Sequence, residues 1–255
     1  MPRPLLLAAL ALAPLVAIAA APAAAPAPVA AAPEIAVGSV LRPAFTLTDG
    51  NTYEAGTAFA ADLAGETVIL TAHHLFGPVG GLPTQLGADE LPGAVKRARF
   101  VDAWTNQKVG MDTTPVRVPG AHAMAQDAAG DLALFRLPAS FDRISAGNQA
   151  PFHALPLAAA DPKLGDPVWL AAEVLGSTAR LHEAKVVEIK PTFLFIEYAG
   201  APLDLTATSG APIVNAAGEV VGISLGGGLD NGKTIGAAGP VSSIRKNLSE
   251  ATKAP

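Results

Sequence analysis

Three short strings carry an imidazole, a carboxylate and a hydroxyl, in this order along the chain. They are Leu-Thr-Ala-His-His at residues 70–74, Gly-Asp-Leu-Ala-Leu at 130–134 and Thr-Ser-Gly-Ala-Pro at 208–212. Each lies beside a short apolar run of the kind that forms a β-strand. A serine hydroxyl becomes a useful nucleophile when a neighbouring base takes its proton, and that base needs an acceptor that fixes its tautomer and stabilises its positive charge. The three residue types therefore indicate acyl-transfer chemistry, and peptide hydrolysis in particular.

Each string alone also has a purely structural interpretation. A histidine after a strand is commonly a structural or surface residue, an aspartate before a strand can cap a turn, and serine with glycine is an ordinary turn pair. The His73-His74 doublet raises the question of a metal site, but adjacent side chains diverge and no cysteine or nearby acidic partner completes a zinc set. We therefore predict no metal and no other cofactor, and we expect His122, His153 and His182 at the surface.

The first 33 residues have the pattern of a targeting segment followed by a spacer. Arg3 precedes an apolar run at 5–17, and Ala-Ile-Ala at 17–19 has the small-x-small form of a cleavage site, so residues 1–19 are predicted to be a signal peptide. The run is about a dozen residues, short of the about 20 that a membrane-spanning helix needs. An uncleaved membrane anchor remains the alternative. Residues 20–33 are almost only Ala and Pro, which predicts an extended linker.

The composition is that of a globular protein, with 50% hydrophobic and 15% charged residues. Without Arg3 the chain has 16 basic against 22 acidic residues, a net charge of −6, and no run of like charge. This balance argues against a nucleic-acid partner and, beyond a possible uncleaved leader, against a membrane partner. Cysteine is absent, which excludes disulfides and lipid attachment through a cysteine. Together with the leader, these features predict an exported bacterial protein, periplasmic or secreted.

The body of the chain is predicted to be all-β. Short β-favouring runs recur between Gly, Pro, Asn and Asp residues, at 45–47, 67–70, 98–101, 132–135, 167–170, 184–189, 193–196 and 220–223. Asn231-Gly232 is the composition of a two-residue hairpin turn. A connector rich in Pro, Gly and Asn at 138–156 separates a first half at about 35–138 from a second at about 156–240. A single helical turn at 72–75 and a helix at about 240–250 are the predicted helices.

These strings, together with Gly-Thr-Ala-Phe at 56–59, resemble those of the trypsin-like (chymotrypsin-fold) serine proteases, nearest to the bacterial, disulfide-free members. The resemblance covers most of residues 56–248. It implies two six-stranded antiparallel β-barrels with a C-terminal helix, in one protease domain at 34–255. It makes His74, rather than His73, the general base, Asp131 the carboxylate that orients it, and Ser209 the nucleophile.

The resemblance also implies an oxyanion hole and a specificity pocket. The backbone N–H groups of Ala207 and Ser209 would bind the oxyanion, and Leu203, Ser224 and Gly226 would line a pocket for a small or apolar side chain. The sequence departs from the family at Ala207, where the family has glycine. If this residue needs a positive φ, its Cβ costs roughly 1 kcal/mol or more.

A second departure is Thr208, which stands where trypsin has the acidic residue that pairs with a newly cut N-terminus. A trypsin-style zymogen switch is therefore not expected. The predicted function is an exported serine endopeptidase that cleaves a protein or peptide substrate through an acyl-enzyme. The alternatives are a catalytically silent protease-like domain that binds a peptide or protein in the same cleft, and an unrelated β-barrel binding domain.

Overall fold

The structure, a computed structural model, describes residues 31–124, 127–137 and 150–253. The signal peptide predicted at 1–19, the linker as far as residue 30 and the connector at 138–149 lie outside the described residues. None of the helices in the described ranges is long and apolar enough to cross a bilayer.

The strands of the first half form a closed barrel. Within the described ranges they are β1 (Val40–Leu47), β2 (Thr52–Glu54), β3 (Ala58–Leu63), β4 (Glu66–Thr71), β5 (Val95–Asp102), β6 (Lys108–Val116) and β7 (Ala133–Arg136). The antiparallel order is β1-β3-β4-β7-β6-β5, and β1 closes the ring by pairing with β5. The beginning of β1 pairs with β3, and its end pairs with β2, which lies outside the ring. Six of these strands therefore make the ring, as predicted.

The second half forms a second closed barrel. Its described strands are β8 (Pro167–Ala171), β9 (Leu181–Ile189), β10 (Leu194–Tyr198), β11 (Pro212–Val214), β12 (Val220–Asp230) and β13 (Lys233–Pro240), in the order β10-β13-β12-β11-β8-β9. Asn231 and Gly232 join β12 to β13 with φ of 49° and 79°. Positive φ at both central residues suits the twist of a two-residue hairpin, so the predicted turn is confirmed.

Helical structure is confined to short segments and one terminal helix in the described chain. Two 3₁₀ turns lie at His73–Phe76 and Pro78–Gly80, and α1 is the single turn Leu91–Ala94. The predicted C-terminal helix is present as α2 (Val241–Lys253). Its Val241, Ile244 and Leu248 recur at helical spacing and are all buried, which gives α2 one apolar face against the barrels.

The core has a part inside each barrel and a part shared between them. Phe45, Phe100 and Phe135 belong to the apolar cluster of the first barrel, and Leu170, Ile196 and Ile213 to that of the second. A third cluster combines residues of both barrels and of α2, among them Phe59, Leu70, Trp169, Ile223 and Leu248. Since this shared cluster buries side chains from both halves, it fixes the two barrels against each other, and with them the cleft where the predicted site residues meet.

Candidate active site

His74 and Asp131 are brought together by the pairing of two neighbouring strands. β4 ends at Thr71 and β7 begins at Ala133, and these two residues are antiparallel partners, so the segments just beyond them lie side by side. His74 Nδ1 donates to Asp131 Oδ2 at 2.7 Å, and the His74 backbone N–H donates to Asp131 Oδ1 at 2.8 Å. Both side chains are buried. With Nδ1 protonated, Nε2 of the neutral ring is left as an acceptor, which is the tautomer that a general base requires.

A loop before β7 supplies a further donor to the same carboxylate. The Met124 backbone N–H donates to Asp131 Oδ2 at 3.0 Å, so three N–H groups converge on the two oxygens. An ionised carboxylate is an acceptor only, and this arrangement satisfies it. Next to Asp131, a Cβ on Gly130 would lie 2.5 Å from His122 Nε2, so the imidazole of His122 packs directly against the Gly130 backbone. The Gly120 carbonyl oxygen would lie 2.9 Å from the same Cβ, so a side chain at this position would require the backbone to shift.

Ser209 lies in the second of two consecutive tight turns. Thr208 N–H donates to the Leu205 carbonyl, with Ala207 as the third residue of that turn. Ala211 N–H donates to the Thr208 carbonyl, with Gly210 third, at φ of 86°. A positive φ at the third position is what a type II turn demands. Ser209 is half-buried at the first central position of the second turn.

The Ser209 loop packs directly against the first barrel. A Cβ on Gly210 would lie 2.1 Å from the Thr57 carbonyl oxygen and 2.4 Å from Thr71 Oγ1, so only glycine allows this approach. Thr71 is three residues before His74, which places the loop beside the segment that carries the imidazole. Within the described chain no hydrogen bond joins Ser209 Oγ to His74. Such contacts are often loose without substrate and tighten when it binds.

Two amide groups of this loop have no hydrogen-bond partner in the described part of the chain. Among the described residues, the N–H groups of Ala207 and Ser209 make no hydrogen bond, whereas those of Thr208 and Gly210 donate to the carbonyls of Leu205 and Ser224. Ala207 has a φ of 65°, the left-handed conformation that L-residues seldom adopt. The alternation of bonded and unbonded amides leaves two donors for an acceptor that the protein itself does not supply.

The residues predicted for the pocket occupy different places in the second barrel. Gly226 lies beside the Ser209 hydroxyl, since a Cβ there would be 3.9 Å from Ser209 Oγ. Ser224 is buried beneath the loop, where its carbonyl accepts the Gly210 N–H at 2.7 Å. Leu203 packs against the second barrel's core and its N–H donates to Thr234 Oγ1 at 2.8 Å.

Glycine dominates the strand wall that runs on from Gly226. Gly227 pairs with Gly236 across β12 and β13. A Cβ on Gly236 would lie 2.9 Å from Tyr198 Cε2, so the phenol ring fills the space that a side chain there would need. The Tyr198 hydroxyl is buried with no partner among the described residues, and burial raises the pKa of this phenol above its usual value. The strand beside Ser209 therefore presents bare backbone at residues 226–228.

The other four histidines make no hydrogen bond to the predicted site residues among the described contacts. His73 Nε2 donates to the Leu86 carbonyl at 2.8 Å, whereas His74 Nδ1 binds Asp131, so the two rings of the doublet have different partners. Burial lowers the pKa of His73. His153 is exposed and His122 half-buried, but the expectation for His182 was wrong, because its side chain is 6% exposed. It lies on β9 in alternation with buried Ala184 and Val186, a period of two that could have predicted its burial.

Thr57, Met124 and Asn247 bind the site residues or the turn next to them, but they were not identified from the sequence. Thr57 appeared only as part of a strand-like string, and it binds two carbonyls of the Ser209 loop. Met124 contributes only its backbone N–H, so its residue type does not indicate this contact. Asn247, on α2, donates from Nδ2 to the Ala129 carbonyl at 2.5 Å, in the turn that leads to Asp131.

The comparisons with known proteins concern the family and the fold. A family model described as the trypsin-like peptidase domain matches residues 55–223. No curated protein matches the chain in sequence. Among solved structures, the chain is similar to the active form of the Rv3671c protease from M. tuberculosis, with a TM-score of 0.53, 16% identity and coverage of 86% of this chain and 82% of that one.

Two further structures show the same fold. The HtrA-type protease AlgW with a tripeptide aligns with a TM-score of 0.51 and 15% identity, over 86% of this chain and 61% of that one. The serine endoprotease from Yersinia pestis aligns with a TM-score of 0.51 and 17% identity, over 85% and 63%. At these identities the likeness shows the fold alone.

Proposed function

Because the chain belongs to the trypsin-like peptidase family, a family of serine proteases, we propose that it is an exported serine endopeptidase that acts through His74, Asp131 and Ser209. The observation that supports this most directly is the pair of unpartnered N–H groups, of Ala207 and Ser209, on the loop that carries the nucleophile. A tetrahedral intermediate needs such donors, because its oxygen carries a negative charge.

The proposed reaction is acyl transfer in two steps. Ser209 Oγ attacks the carbonyl carbon of the scissile bond while His74 Nε2 takes the hydroxyl proton. The same proton then passes to the leaving amine as the C–N bond breaks, which leaves an ester on Ser209. In the second step water attacks the ester with His74 again as base, and Ser209 recovers its proton as the acid product leaves.

Asp131 serves His74 rather than the substrate. Its hydrogen bond to Nδ1 keeps the proton on that nitrogen and stabilises the imidazolium that forms in each step. Its bonds from the His74 and Met124 backbone hold the carboxylate in place while the charge on the ring changes. Preorganisation of this kind needs no rearrangement during the reaction.

The proposed specificity is for a small or apolar side chain at the residue before the scissile bond. The glycines at 226–228 leave a wall of bare backbone, and the Tyr198 ring fills the space behind Gly236. No basic-side-chain preference is expected, because Leu203 rather than an acidic residue lies at the predicted pocket base. The leader at 1–19 supports export, and N-terminal sequencing of the exported protein tests it, with Ala20 as the expected first residue.

A serine-directed fluorophosphonate probe tests the proposed chemistry. We expect stoichiometric labelling of the wild-type protein, complete loss of labelling in Ser209→Ala, and unchanged labelling in Ser249→Ala, where an exposed serine on α2 serves as control. Both variants should keep the wild-type melting temperature within about 1 °C, since neither removes a buried apolar group. Well-folded wild-type protein that takes up no probe would contradict the proposal and favour a silent domain that binds a peptide in the same cleft.

A further inference from the structure

Thr57 joins the first barrel to the Ser209 loop through both of its donors. It lies just before β3 and is 4% exposed. Its backbone N–H donates to the Ser209 carbonyl at 2.8 Å, and its hydroxyl donates to the Ala207 carbonyl at 2.9 Å. The carbonyl of Thr57 in turn accepts the Thr71 hydroxyl at 2.6 Å. Since Thr71 ends the strand that leads to His74, the base and the loop are connected through this one residue.

The two carbonyls that Thr57 binds belong to the two residues whose N–H groups have no partner in the described chain. The φ and ψ angles of a residue together set the direction of its N–H relative to its carbonyl, so a hydrogen bond to the carbonyl restricts the directions that the N–H can take. Thr57 therefore restricts where the two free donors of Ala207 and Ser209 point. The donors of the intervening Thr208 are used differently, since its N–H and hydroxyl both go to the Leu205 carbonyl.

Ala207 makes this restraint necessary. At a φ of 65° its Cβ crowds the backbone, so an unrestrained alanine relaxes towards negative φ by turning the adjacent peptide groups. Glycine would have no such tendency. The hydroxyl of Thr57 opposes the relaxation, because turning the peptide would break its hydrogen bond to the Ala207 carbonyl and leave a buried donor unsatisfied.

We propose that Thr57 is the positioning residue of the oxyanion hole, and that its hydroxyl holds Ala207 in the left-handed conformation in which its N–H faces the reacting carbonyl. This inference rests on the proposed function, in which that hole stabilises the tetrahedral intermediate. On this proposal, a residue of the first barrel, which carries the base, directly positions the loop of the second half that binds the oxyanion.

Three variants separate this role from general stability. Thr57→Val removes the hydroxyl at nearly constant shape, Thr57→Ser keeps it, and Thr113→Val is the matched control, since Thr113 is fully buried and its hydroxyl has no partner among the described residues. In Thr57→Val we expect kcat for a peptide substrate to fall about 10- to 100-fold, below the about 100- to 1000-fold typical of losing an oxyanion donor outright. KM should change less than about threefold, because the interaction matters in the transition state.

The conservative variant and the pH profile complete the kinetic test. Thr57→Ser should recover kcat to within about threefold of wild type, and Thr113→Val should match wild type. The shape of the pH–rate profile should be the same in Thr57→Val and wild type, because the His74–Asp131 pair is not altered. A Thr57→Val profile displaced along the pH axis would overturn the proposal by showing that the substitution acts on the base.

A structural measurement tests the hold on Ala207 directly. High-resolution crystal structures of wild type and Thr57→Val give the φ of Ala207, which we expect to be positive in wild type and to turn negative, or to divide between two conformations, in the variant. If wild type takes up no fluorophosphonate, the proposed function fails while this φ still tests the hold on Ala207. A Thr57→Val protein that keeps a positive φ at Ala207, or one that loses it with kcat unchanged, overturns the proposal.

Discussion

The strain at Ala207 can be measured by removing its side chain. Ala207→Gly deletes a Cβ that is exposed, so no apolar contact is lost, and it relieves a left-handed conformation that costs an L-residue about 1–2 kcal/mol. Against this, glycine increases the entropy of the unfolded chain by about 0.4–1 kcal/mol. The difference predicts that the free energy of unfolding rises by about 1 kcal/mol.

Ala64 provides a control with the same chemistry at a distant position. It is also an exposed alanine in the left-handed region, at a φ of 52°, in the turn between β3 and β4. Ala64→Gly should therefore stabilise the protein by a similar amount without changing its activity. Since nothing ties the Ala64 carbonyl to a distant residue among the described contacts, the two variants separate the strain itself from the hold exerted on Ala207.

Guanidinium denaturation is the appropriate assay. Both variants should raise the midpoint with an unchanged m-value, because the surface exposed on unfolding stays the same. In a thermal scan, about 1 kcal/mol corresponds to an increase of about 2–4 °C for a domain of this size. If Ala64→Gly is stabilised and Ala207→Gly is not, Ala207 does not hold a left-handed conformation in solution, and the argument that Thr57 restrains it is refuted.

Three further substitutions test the site and its supports. Asp131→Asn should keep the fold but lower kcat about 10⁴-fold, because an amide no longer holds His74 in the required tautomer; a loss smaller than tenfold in peptide hydrolysis would contradict the assigned role. Asn247→Ala leaves the carbonyl of Ala129 without its donor and should cost about 1–3 kcal/mol of unfolding free energy in guanidinium, and an unchanged midpoint would show that this bond contributes nothing. Burial lowers the pKa of His73 in the folded protein. As the pH falls below about 6.5, His73 of the unfolded chain becomes protonated while His73 of the folded protein stays neutral, so the free energy of unfolding decreases. The decrease in urea midpoint from pH 7.5 to pH 5.5 should be smaller in His73→Gln than in wild type. An equal decrease in the two proteins would contradict this role of His73.

The strands that could be predicted are those whose own residues favour extended structure. The runs at 67–70, 98–101 and 184–189 are rich in β-branched or aromatic residues and lie within β4, β5 and β9. β13 was not predicted, because its sequence Lys-Thr-Ile-Gly-Ala-Ala-Gly-Pro combines glycine and alanine, which have little intrinsic preference for strands. It forms because β10 and β12 pair with it on either side. Such a strand depends on its neighbours, which a local pattern cannot show.

The same distinction applies to the site. Acyl transfer restricts the reacting groups to a few residue types, so His74, Asp131 and Ser209 could be nominated from three strings. The groups that orient them are not restricted in this way. Met124 contributes a backbone N–H that any residue other than proline would offer, and Thr57 contacts Ala207 across 150 positions of the sequence. Neither contact follows from local composition, since both depend on how the loops meet when the barrels pack.

Ala207 shows how the two kinds of information combine. The sequence raises a question at this position, since an alanine stands where the family has glycine and a positive φ would be costly. In the structure Ala207 is left-handed, and its carbonyl accepts a hydrogen bond from the hydroxyl of Thr57, which belongs to the other barrel. A departure from the family pattern at one residue is thus accompanied by a compensating contact from a residue far away in the sequence. It follows that the effect of a substitution at Ala207 depends on Thr57. Thr57→Val should therefore reduce kcat less in an Ala207→Gly background than alone, and equal losses in the two backgrounds would show that the residues act independently.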